Sequence, residues 1–294
     1  MNSKIKNIFE RLFSAAVGCP VIFALIYIFP QQKYLALNIF VIVVCVLGAV
    51  EFAGILKKKD MELFLAEAVI LGALPPIAAT LYVSFNWSVF WIASAVLVCV
   101  LYCLMSCAFM PAGKLDKAGL RLAAGFSVIF YPGMCMCCMI FLSKLVFADT
   151  LIMVFLLTVI MNDSAAWFFG MLFGKNNKGI IAASPNKSIA GFIGGFAGSM
   201  TVCIAASVIK PDVFVTMMFP STISGVILGL TTGIAATVGD LAESALKRSV
   251  GLKDSGILIP GRGGMLDSID SIAFAAPVFY IVYRILFIEL FVIK

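Results

Sequence analysis

Apolar runs of about 20 residues recur along almost the whole of this 294-residue chain. A run of that length spans the hydrocarbon core of a bilayer as an α-helix, whereas a transmembrane barrel shows alternating segments of about ten residues. Hydrophobic residues make up 63% of the sequence and charged residues only 12%, against about 25% charged in ordinary soluble domains. We therefore expect an all-α, polytopic integral membrane protein.

Windows of about 20 apolar residues predict about nine transmembrane helices. Their approximate ranges are 12–30, 34–56, 63–84, 87–110, 121–142, 146–173, 189–209, 214–238 and 271–292. With a cytoplasmic N-terminus, sixteen of the 21 lysines and arginines fall in cytoplasmic segments and four on the opposite side. The positive-inside rule therefore predicts this orientation, in a multi-pass protein of the inner (cytoplasmic) membrane.

Histidine is absent from the chain, and the nine cysteines lie mostly inside apolar runs. Cys135, Cys137 and Cys138 have no histidine partner, so a zinc site is not expected there, and we interpret them as packing residues. The absence of histidine also removes the commonest general base and the serine–histidine triad. Any chemistry is therefore expected to rely on other groups.

Four aspartates fall at similar depths near the predicted cytoplasmic face. At 1.5 Å per residue, Asp163 lies about 25 Å along the helix that enters near residue 146, and Asp240 lies about 28 Å along its own helix. Asp267 and Asp270 stand at the inner start of the last span. Because an acid within a membrane is costly, each is a functional candidate. For Asp267 and Asp270, an acidic helix N-terminus is the alternative interpretation.

Two other acids have simpler interpretations. The spacing of Asp240, Glu243 and Lys247, by three and then four residues, suits one helical face, and a solvated helix end with an i,i+4 ion pair is the alternative to a functional role for them. Glu51 lies near the KKK run at 57–59. We interpret it as pairing with a lysine there, rather than as contacting a site.

Two glycine-containing loops carry cations on the same predicted face. They read SPNKSIAGFIGG (184–195) and KDSGILIPGRGGMLDSID (253–270). Glycine lets backbone approach an anion closely, and a helix N-terminus after the first loop would favour an anion. Clustered carboxylates suit Mg²⁺, which takes oxygen ligands and usually keeps waters and substrate phosphates. Acids, cations and glycine loops on one membrane face therefore favour phosphoryl chemistry.

The run from Ser244 to Asp270 resembles the signature of the phosphatidate cytidylyltransferases, also called CDP-diacylglycerol synthases. The matching segments are SALKR (244–248), KDSG (253–256) and IPGRGGMLDSID (259–270), together with ND (162–163), the S-P-x-K loop (184–187) and GDLAES (239–244) upstream. The resemblance covers roughly residues 150–290. The N-terminal half matches only in containing several spans.

This resemblance implies that CTP and phosphatidic acid give CDP-diacylglycerol and pyrophosphate, with Mg²⁺ alone or together with a monovalent cation, in phospholipid biosynthesis. It also implies a homodimer. We expect N-terminal transmembrane helices in residues 1–120 and the catalytic region in residues 121–294. The implied catalytic residues are Asp240, Lys247, Arg248, Asp267 and Asp270. The implied substrate-binding residues are Ser184, Lys187, Ser188, Lys253, Asp254, Arg262, Gly263 and Gly264. The implied metal ligands are Asp163, Asp240, Asp267 and Asp270.

Five positions depart from the family pattern. Arg262 stands where the family usually has histidine, and Ser268 where it usually has arginine. The family loop usually reads S-P-K-K-T-W-E-G, so Asn186, Ile189 and Ala190 also differ. We hypothesise that Arg262 compensates in part for the arginine that is missing at position 268, because both positions lie in one short segment.

Two alternative functions remain open at this point. A divergent paralogue would keep the fold and act on another lipid phosphate or nucleotide, or have no catalytic activity. An ion-coupled transporter would use its acids to bind cations. Transporters bind substrate near the midplane of the bilayer, whereas the acids here lie at one face, which argues against transport.

Overall fold

The computed structural model describes residues 3–216 and 219–287, with side chains described at Glu10, Ser14 and from residue 16 onward. Within these ranges the chain is built from helices. They are α1 Ser3–Tyr27, α2 Gln31–Lys57, α3 Leu65–Ser84, α4 Phe90–Ala108, α5 Ala118–Val128, α6 Cys135–Leu142, α7 Ala148–Phe173, α8 Ile189–Ile209, α9 Ser221–Ser249 and α10 Leu266–Leu286. A 3₁₀ turn precedes α5, and a π-helical segment, Ile129–Met134, joins α5 to α6.

Eight helical stretches in the described ranges are long and apolar enough to cross a membrane. Each overlaps one of the predicted spans, with α5 and α6 belonging to a single stretch, Ala112–Leu142. The predicted first span, 12–30, falls on α1, where several side chains lie outside the described residues and the apolar part Ala16–Tyr27 is shorter. The all-helical, polytopic architecture is therefore confirmed, while the count of nine and the cytoplasmic N-terminus stay predictions.

Two helices extend beyond the apolar windows that predicted them. The prediction ended one span at residue 238, but α9 continues to Ser249. The prediction began the last span at residue 271, but α10 begins at Leu266. Asp240 and both Asp267 and Asp270 therefore lie inside helices. The helical spacing of these residues predicted this. The apolar windows end earlier, where polar residues begin, while the backbone hydrogen bonds of a helix continue into the polar segment.

The chain divides into two compact units. The first comprises Met1–Phe141 and Ser249–Ile269, and the second comprises Leu142–Arg248 and Asp270–Lys294. The predicted division into residues 1–120 and 121–294 concerns where catalysis occurs, whereas these units are defined by packing. That division stays a prediction.

Small residues bring the helices of the first unit together. A Cβ atom at Gly72 of α3 would lie only 2.5 Å from the Cβ atom of Ala49 on α2. The buried Glu67 of α3 accepts hydrogen bonds from the Phe64 backbone N–H, at 2.8 Å, and from the Tyr102 hydroxyl, at 2.6 Å, and forms an ion pair with Arg121. This carboxylate thus caps α3 and ties it to α4 and α5.

Glycines also determine the packing of the second unit. A Cβ atom at Gly191, Gly195 or Gly198 of α8 would lie 2.9 Å from a backbone carbonyl oxygen of α7. One at Gly229 of α9 would lie 2.6 Å from the Met200 Cα atom of α8. Close approach of this kind is the usual basis of helix association in membranes. It brings the polar ends of α7 and α9 to the loop that precedes α8.

Candidate active site

A cavity of about 560 Å³ lies in the second unit, between α7, α9 and the loop before α8. Two carboxylates, Asp163 and Asp240, line it together with two lysines, Lys178 and Lys187. Apolar side chains, among them Trp167, line another part of the wall. The cavity therefore combines groups that bind a phosphate or a hard cation with a surface suited to an apolar ligand.

Lys187 and Asp240 form an ion pair at the centre of this group, with 2.6 Å between Nζ and Oδ2. The other carboxylate oxygen of Asp240 accepts a 3.3 Å hydrogen bond from the Ser244 hydroxyl. The Lys187 and Asp240 side chains are 27% and 32% exposed. A partly hydrated pair of this kind contributes only about 1 kcal/mol or less. A phosphate or a cation can therefore separate the two groups at modest cost.

Asn162 supplies a buried polar atom next to the acids. Its side-chain N–H₂ donates to Thr237 Oγ1 at 3.2 Å and lies 3.4 Å from Asp163 Oδ1. Its Oδ1 atom is buried and has no hydrogen-bond partner among the described residues. A buried amide oxygen without a donor is costly, and a bound cation would satisfy it. The sequence pointed to this position through the ND pair at 162–163, but it predicted a role only for Asp163.

The loop before α8 is folded against the ends of both neighbouring helices. Ser188 is the N-cap of α8, where its hydroxyl oxygen accepts a 3.1 Å hydrogen bond from the Gly191 N–H. The Lys187 N–H donates to the Ser184 carbonyl at 3.1 Å, and the Ile189 N–H to the Asn177 carbonyl at 3.1 Å. The prediction of a helix opening directly after this loop is confirmed. Contact of Ser184 and Ser188 with substrate stays a prediction.

Glu243 and Lys247 form the i,i+4 ion pair that their spacing predicts, with 2.5 Å between the charged atoms. The alternative of a solvated helix end is wrong for this pair, because the Glu243 side chain is fully buried and that of Lys247 is only 10% exposed. Breaking a buried pair leaves an uncompensated charge. Lys247 is therefore held by Glu243, and its predicted catalytic role would have to operate from within this pair.

Asp270 lies in the second unit, where α10 packs against α9. A Cβ atom at Gly239 of α9 would lie 2.5 Å from the backbone oxygen of Asp270. The Asp270 carboxylate is buried and accepts a 2.5 Å hydrogen bond from the Ser271 N–H. Asp240 and Asp163 are among the charged groups close enough to act electrostatically on it. Three of the four predicted metal ligands thus lie in this unit.

Asp267 lies in the first unit, where its carboxylate binds the glycine loop. Its Oδ2 atom accepts hydrogen bonds from the Ser255 N–H at 2.8 Å, the Gly264 N–H at 2.7 Å and the Ser255 hydroxyl at 2.9 Å. A carboxylate that accepts several backbone N–H groups holds a loop in one conformation. A metal at Asp267 would have to share the carboxylate with these donors.

The loop is a tight turn from Ile259 to Gly263, closed by backbone hydrogen bonds of 2.7 and 3.0 Å between these two residues. Gly263 adopts a φ of +104°, and a Cβ atom there would lie 2.5 Å from Asp267 Oδ2. Both facts require glycine at this position. The side chains of Arg248, Lys253, Asp254 and Arg262, all predicted to act at the site, are exposed.

Glu51 contacts the same glycine loop that Asp267 holds. The prediction that Glu51 pairs with a lysine is wrong. Glu51 accepts hydrogen bonds from the Met265 N–H, at 3.0 Å, and the Leu266 N–H, at 2.8 Å, and its Oε2 atom lies 2.9 Å from the Ser255 hydroxyl oxygen. The signal in the sequence was an acid near the end of an apolar span. The nearby lysines offered a more local partner, and no local rule points to residues more than 200 positions away.

The described ranges contain no cage of protein ligands that could enclose a metal ion. No group of three Asp, Glu, Cys or His side chains there is close enough to hold a metal ion. Mg²⁺ usually uses one or two carboxylates and completes its shell with waters and substrate phosphates. Asp163 and Asp240 fit that mode of binding, because they line an open cavity, and the buried Asn162 oxygen belongs to the residue next to Asp163.

Comparison with known proteins gives a consistent family. Residues 9–286 match the cytidylyltransferase family. A phosphatidate cytidylyltransferase of Thermotoga maritima is 43% identical over 124 residues, which are 42% of this chain and 45% of that protein. One of Haemophilus influenzae is 42% identical over 122 residues, 41% of each chain. An uncharacterized protein of Escherichia coli, YnbB, is 40% identical over 124 residues, 42% of this chain and 39% of its own. The match spans less than half the length of these relatives.

Proposed function

Because the chain belongs to the cytidylyltransferase family, we propose that it transfers the cytidylyl group of CTP to phosphatidic acid, giving CDP-diacylglycerol and pyrophosphate. The observation that carries the proposal is the cavity in which Asp163, Asp240 and Lys187 meet. Relatives named phosphatidate cytidylyltransferase support this choice of substrates. Such an enzyme would act in phospholipid biosynthesis.

The chemistry needs little from the protein beyond positioning and charge. An oxygen of the lipid phosphate attacks the α-phosphorus of CTP, a new P–O bond forms, and the bond to the β-phosphate breaks to release pyrophosphate. The attacking phosphate is already ionised, so no general base is required, which agrees with a chain that contains no histidine. Catalysis then rests on alignment and on neutralising phosphate charge.

Lys187 is the cation best placed for that neutralisation in the second unit. Its ammonium already faces a carboxylate across the cavity, and a phosphate oxygen can replace that carboxylate. The Lys187 ammonium also lies 6.0 Å from the centre of the Phe192 ring, which helps to orient it. Asp240, once released from Lys187, is free to take part in cation binding.

Mg²⁺ would be held by Asp163, Asp240 and the Asn162 amide oxygen, with Asp270 as a neighbouring acid. It would supply neutralisation of the developing pyrophosphate charge. The family resemblance also assigns a catalytic role to Asp267, which lies in the first turn of α10. A monovalent cation beside Mg²⁺ is the second part of the same proposal.

The membrane setting follows from the apolar helices and the distribution of charge. We place the protein in the inner (cytoplasmic) membrane with its N-terminus in the cytoplasm, where most lysines and arginines then face the inner leaflet. In that orientation CTP reaches the cavity from the cytosol, and phosphatidic acid reaches it from the inner leaflet. A homodimer is also proposed, on the family resemblance alone.

The decisive experiment uses the purified protein in detergent with labelled CTP, phosphatidic acid and Mg²⁺. Pyrophosphate release that requires all three supports the proposal. CTP binding without turnover would instead indicate a divergent paralogue, and replacing phosphatidic acid by other lipid phosphates would then identify its acceptor. Cation flux in proteoliposomes, without turnover, would overturn the proposal in favour of transport.

A further inference from the structure

Glu51 binds the start of α10 from a distant helix. It lies in the last two turns of α2, and its carboxylate accepts from the N–H groups of Met265, at 3.0 Å, and Leu266, at 2.8 Å. The first N–H groups of a helix have no partner within the helix, and the N-terminal end carries a partial positive charge. Glu51 satisfies both needs, in the way that a local glutamate does in a capping box.

The same carboxylate is connected to Asp267 through one hydroxyl group. Ser255 Oγ lies 2.9 Å from Glu51 Oε2 and 2.9 Å from Asp267 Oδ2. A serine hydroxyl has one proton, so it donates to only one of these oxygens at a time. Ser255 Oγ also accepts a 3.3 Å hydrogen bond from the Asp267 N–H. Glu51, Ser255 and Asp267 therefore form one continuous polar network.

The loop closes around the Glu51 carboxylate only because two of its residues are glycines. A Cβ atom at Gly256 would lie 2.5 Å from Glu51 Oε1, and one at Gly264 would overlap both Glu51 Oε2 and Ser255 Oγ. The glycines thus leave room for a carboxylate and for little else. Glu51 is enclosed by the loop, in a position suited to orienting it and unsuited to contacting a substrate.

We infer that Glu51 is a positioning residue, which sets the conformation of the glycine loop at 255–266 and, through Ser255, the orientation of the Asp267 carboxylate. The inference rests on the proposed function, because the glycine loop and Asp267 belong to the segment that resembles the signature of the family. It goes beyond that function by making an acid of α2 part of the machinery. The N-terminal helices then contribute to catalysis as well as to membrane insertion.

The test compares Glu51→Gln with Glu67→Gln. Glu67 is a matched control, because it is also a glutamate of the first unit that caps a helix and has a hydroxyl partner, but its partners are Phe64, Tyr102 and Arg121. In Glu51→Gln an NH₂ group replaces one of the two carboxylate oxygens and faces the N–H group of Met265 or Leu266. At least one hydrogen bond to the loop is therefore lost. Both variants are expected to lower the midpoint of thermal unfolding, so that measurement serves to match them.

Two readouts separate positioning from general stability. In Glu51→Gln we expect the amides of Gly264, Met265 and Leu266 to exchange hydrogen about tenfold faster, and kcat to fall about tenfold or more, with a smaller change in the KM for CTP. In Glu67→Gln both quantities should stay near those of the wild type. Glu51→Asp keeps the charge, so it should restore part of kcat.

A double-mutant cycle with Ser255→Ala tests the connection to Asp267. If Glu51 acts through Ser255, the loss of kcat in the double variant will be smaller than the product of the two single losses. Wild-type amide exchange in Glu51→Gln, or equal losses of kcat in Glu51→Gln and Glu67→Gln, would overturn the inference. If the wild-type protein does not turn over CTP at all, the proposed function fails, and amide exchange alone then decides whether Glu51 orders the loop.

Discussion

The Lys187 ammonium lies 2.6 Å from the Asp240 carboxylate and joins the loop before α8 to α9. One residue was predicted to hold phosphate and the other to hold metal, and each neutralises the other in the structure. In the proposed reaction, a magnesium–nucleotide complex would supply an anion for Lys187 and a cation for Asp240. Each group would then exchange one oppositely charged partner for another.

Lys187→Ala tests this exchange directly. We expect kcat/KM for CTP to fall about 100-fold, because a hydrogen bond between charged groups contributes up to about 3 kcal/mol. The control is Lys178→Ala, which removes a second lysine from the same cavity wall but no ion pair to Asp240. Steady-state pyrophosphate release measures both. Equal losses in the two variants would mean that the cavity needs only a general positive charge.

Asn162→Ala should weaken the response to Mg²⁺. We expect the Mg²⁺ concentration for half-maximal activity to rise about tenfold, the usual effect of removing a group that supports a metal site. Thr237→Val is the matched control, since it removes the partner of the Asn162 N–H₂ group and leaves the Oδ1 atom in place. An unchanged Mg²⁺ response in Asn162→Ala would show that the buried oxygen serves packing alone.

The buried pair of Glu243 and Lys247 makes a prediction about stability. Glu243→Gln removes the carboxylate that pairs with the buried Lys247 ammonium, so the free energy of unfolding should fall by about 3 kcal/mol. Glu243→Gln combined with Lys247→Met removes both charges and should recover most of that loss. Thermal unfolding of the purified variants in detergent gives the comparison. If the double variant is no more stable than Glu243→Gln, the pair is not the source of the effect.

The helices were predictable and the contacts between distant residues were not. Apolar windows located α2 to within a few residues, because a membrane span has to satisfy its backbone hydrogen bonds internally. The pairing of Glu243 with Lys247 followed from helical periodicity. The contacts of Lys187 with Asp240 and of Glu51 with Leu266 depend on how helices pack through glycines, and no local spacing rule contains that information.

Gly264→Ala should prevent the glycine loop from closing. The new methyl group would overlap Glu51 Oε2 and Ser255 Oγ, and forcing a methyl group into a packed site costs about 1 to 3 kcal/mol. We expect a lower midpoint of thermal unfolding and a large loss of turnover. Gly119→Ala is the control, because a Cβ atom there meets nothing within 4 Å and alanine favours a helix. Equal behaviour of the two variants would contradict the observed packing.

Changing Arg262 to histidine and Ser268 to arginine tests whether Arg262 compensates for the arginine that is missing at position 268. Arg262 is exposed on the turn, and the Ser268 hydroxyl lies in the first turn of α10, where it donates to the Gly264 carbonyl at 3.3 Å. The two residues thus flank Gly264, and a long arginine side chain from either position can reach a phosphate held at the loop. Arg262→His alone should reduce kcat/KM for CTP about tenfold or more, and adding Ser268→Arg should restore it. Pyrophosphate release at saturating phosphatidic acid measures the recovery. A double variant as inactive as Arg262→His would show that Arg262 has a role of its own, which an arginine on α10 does not replace.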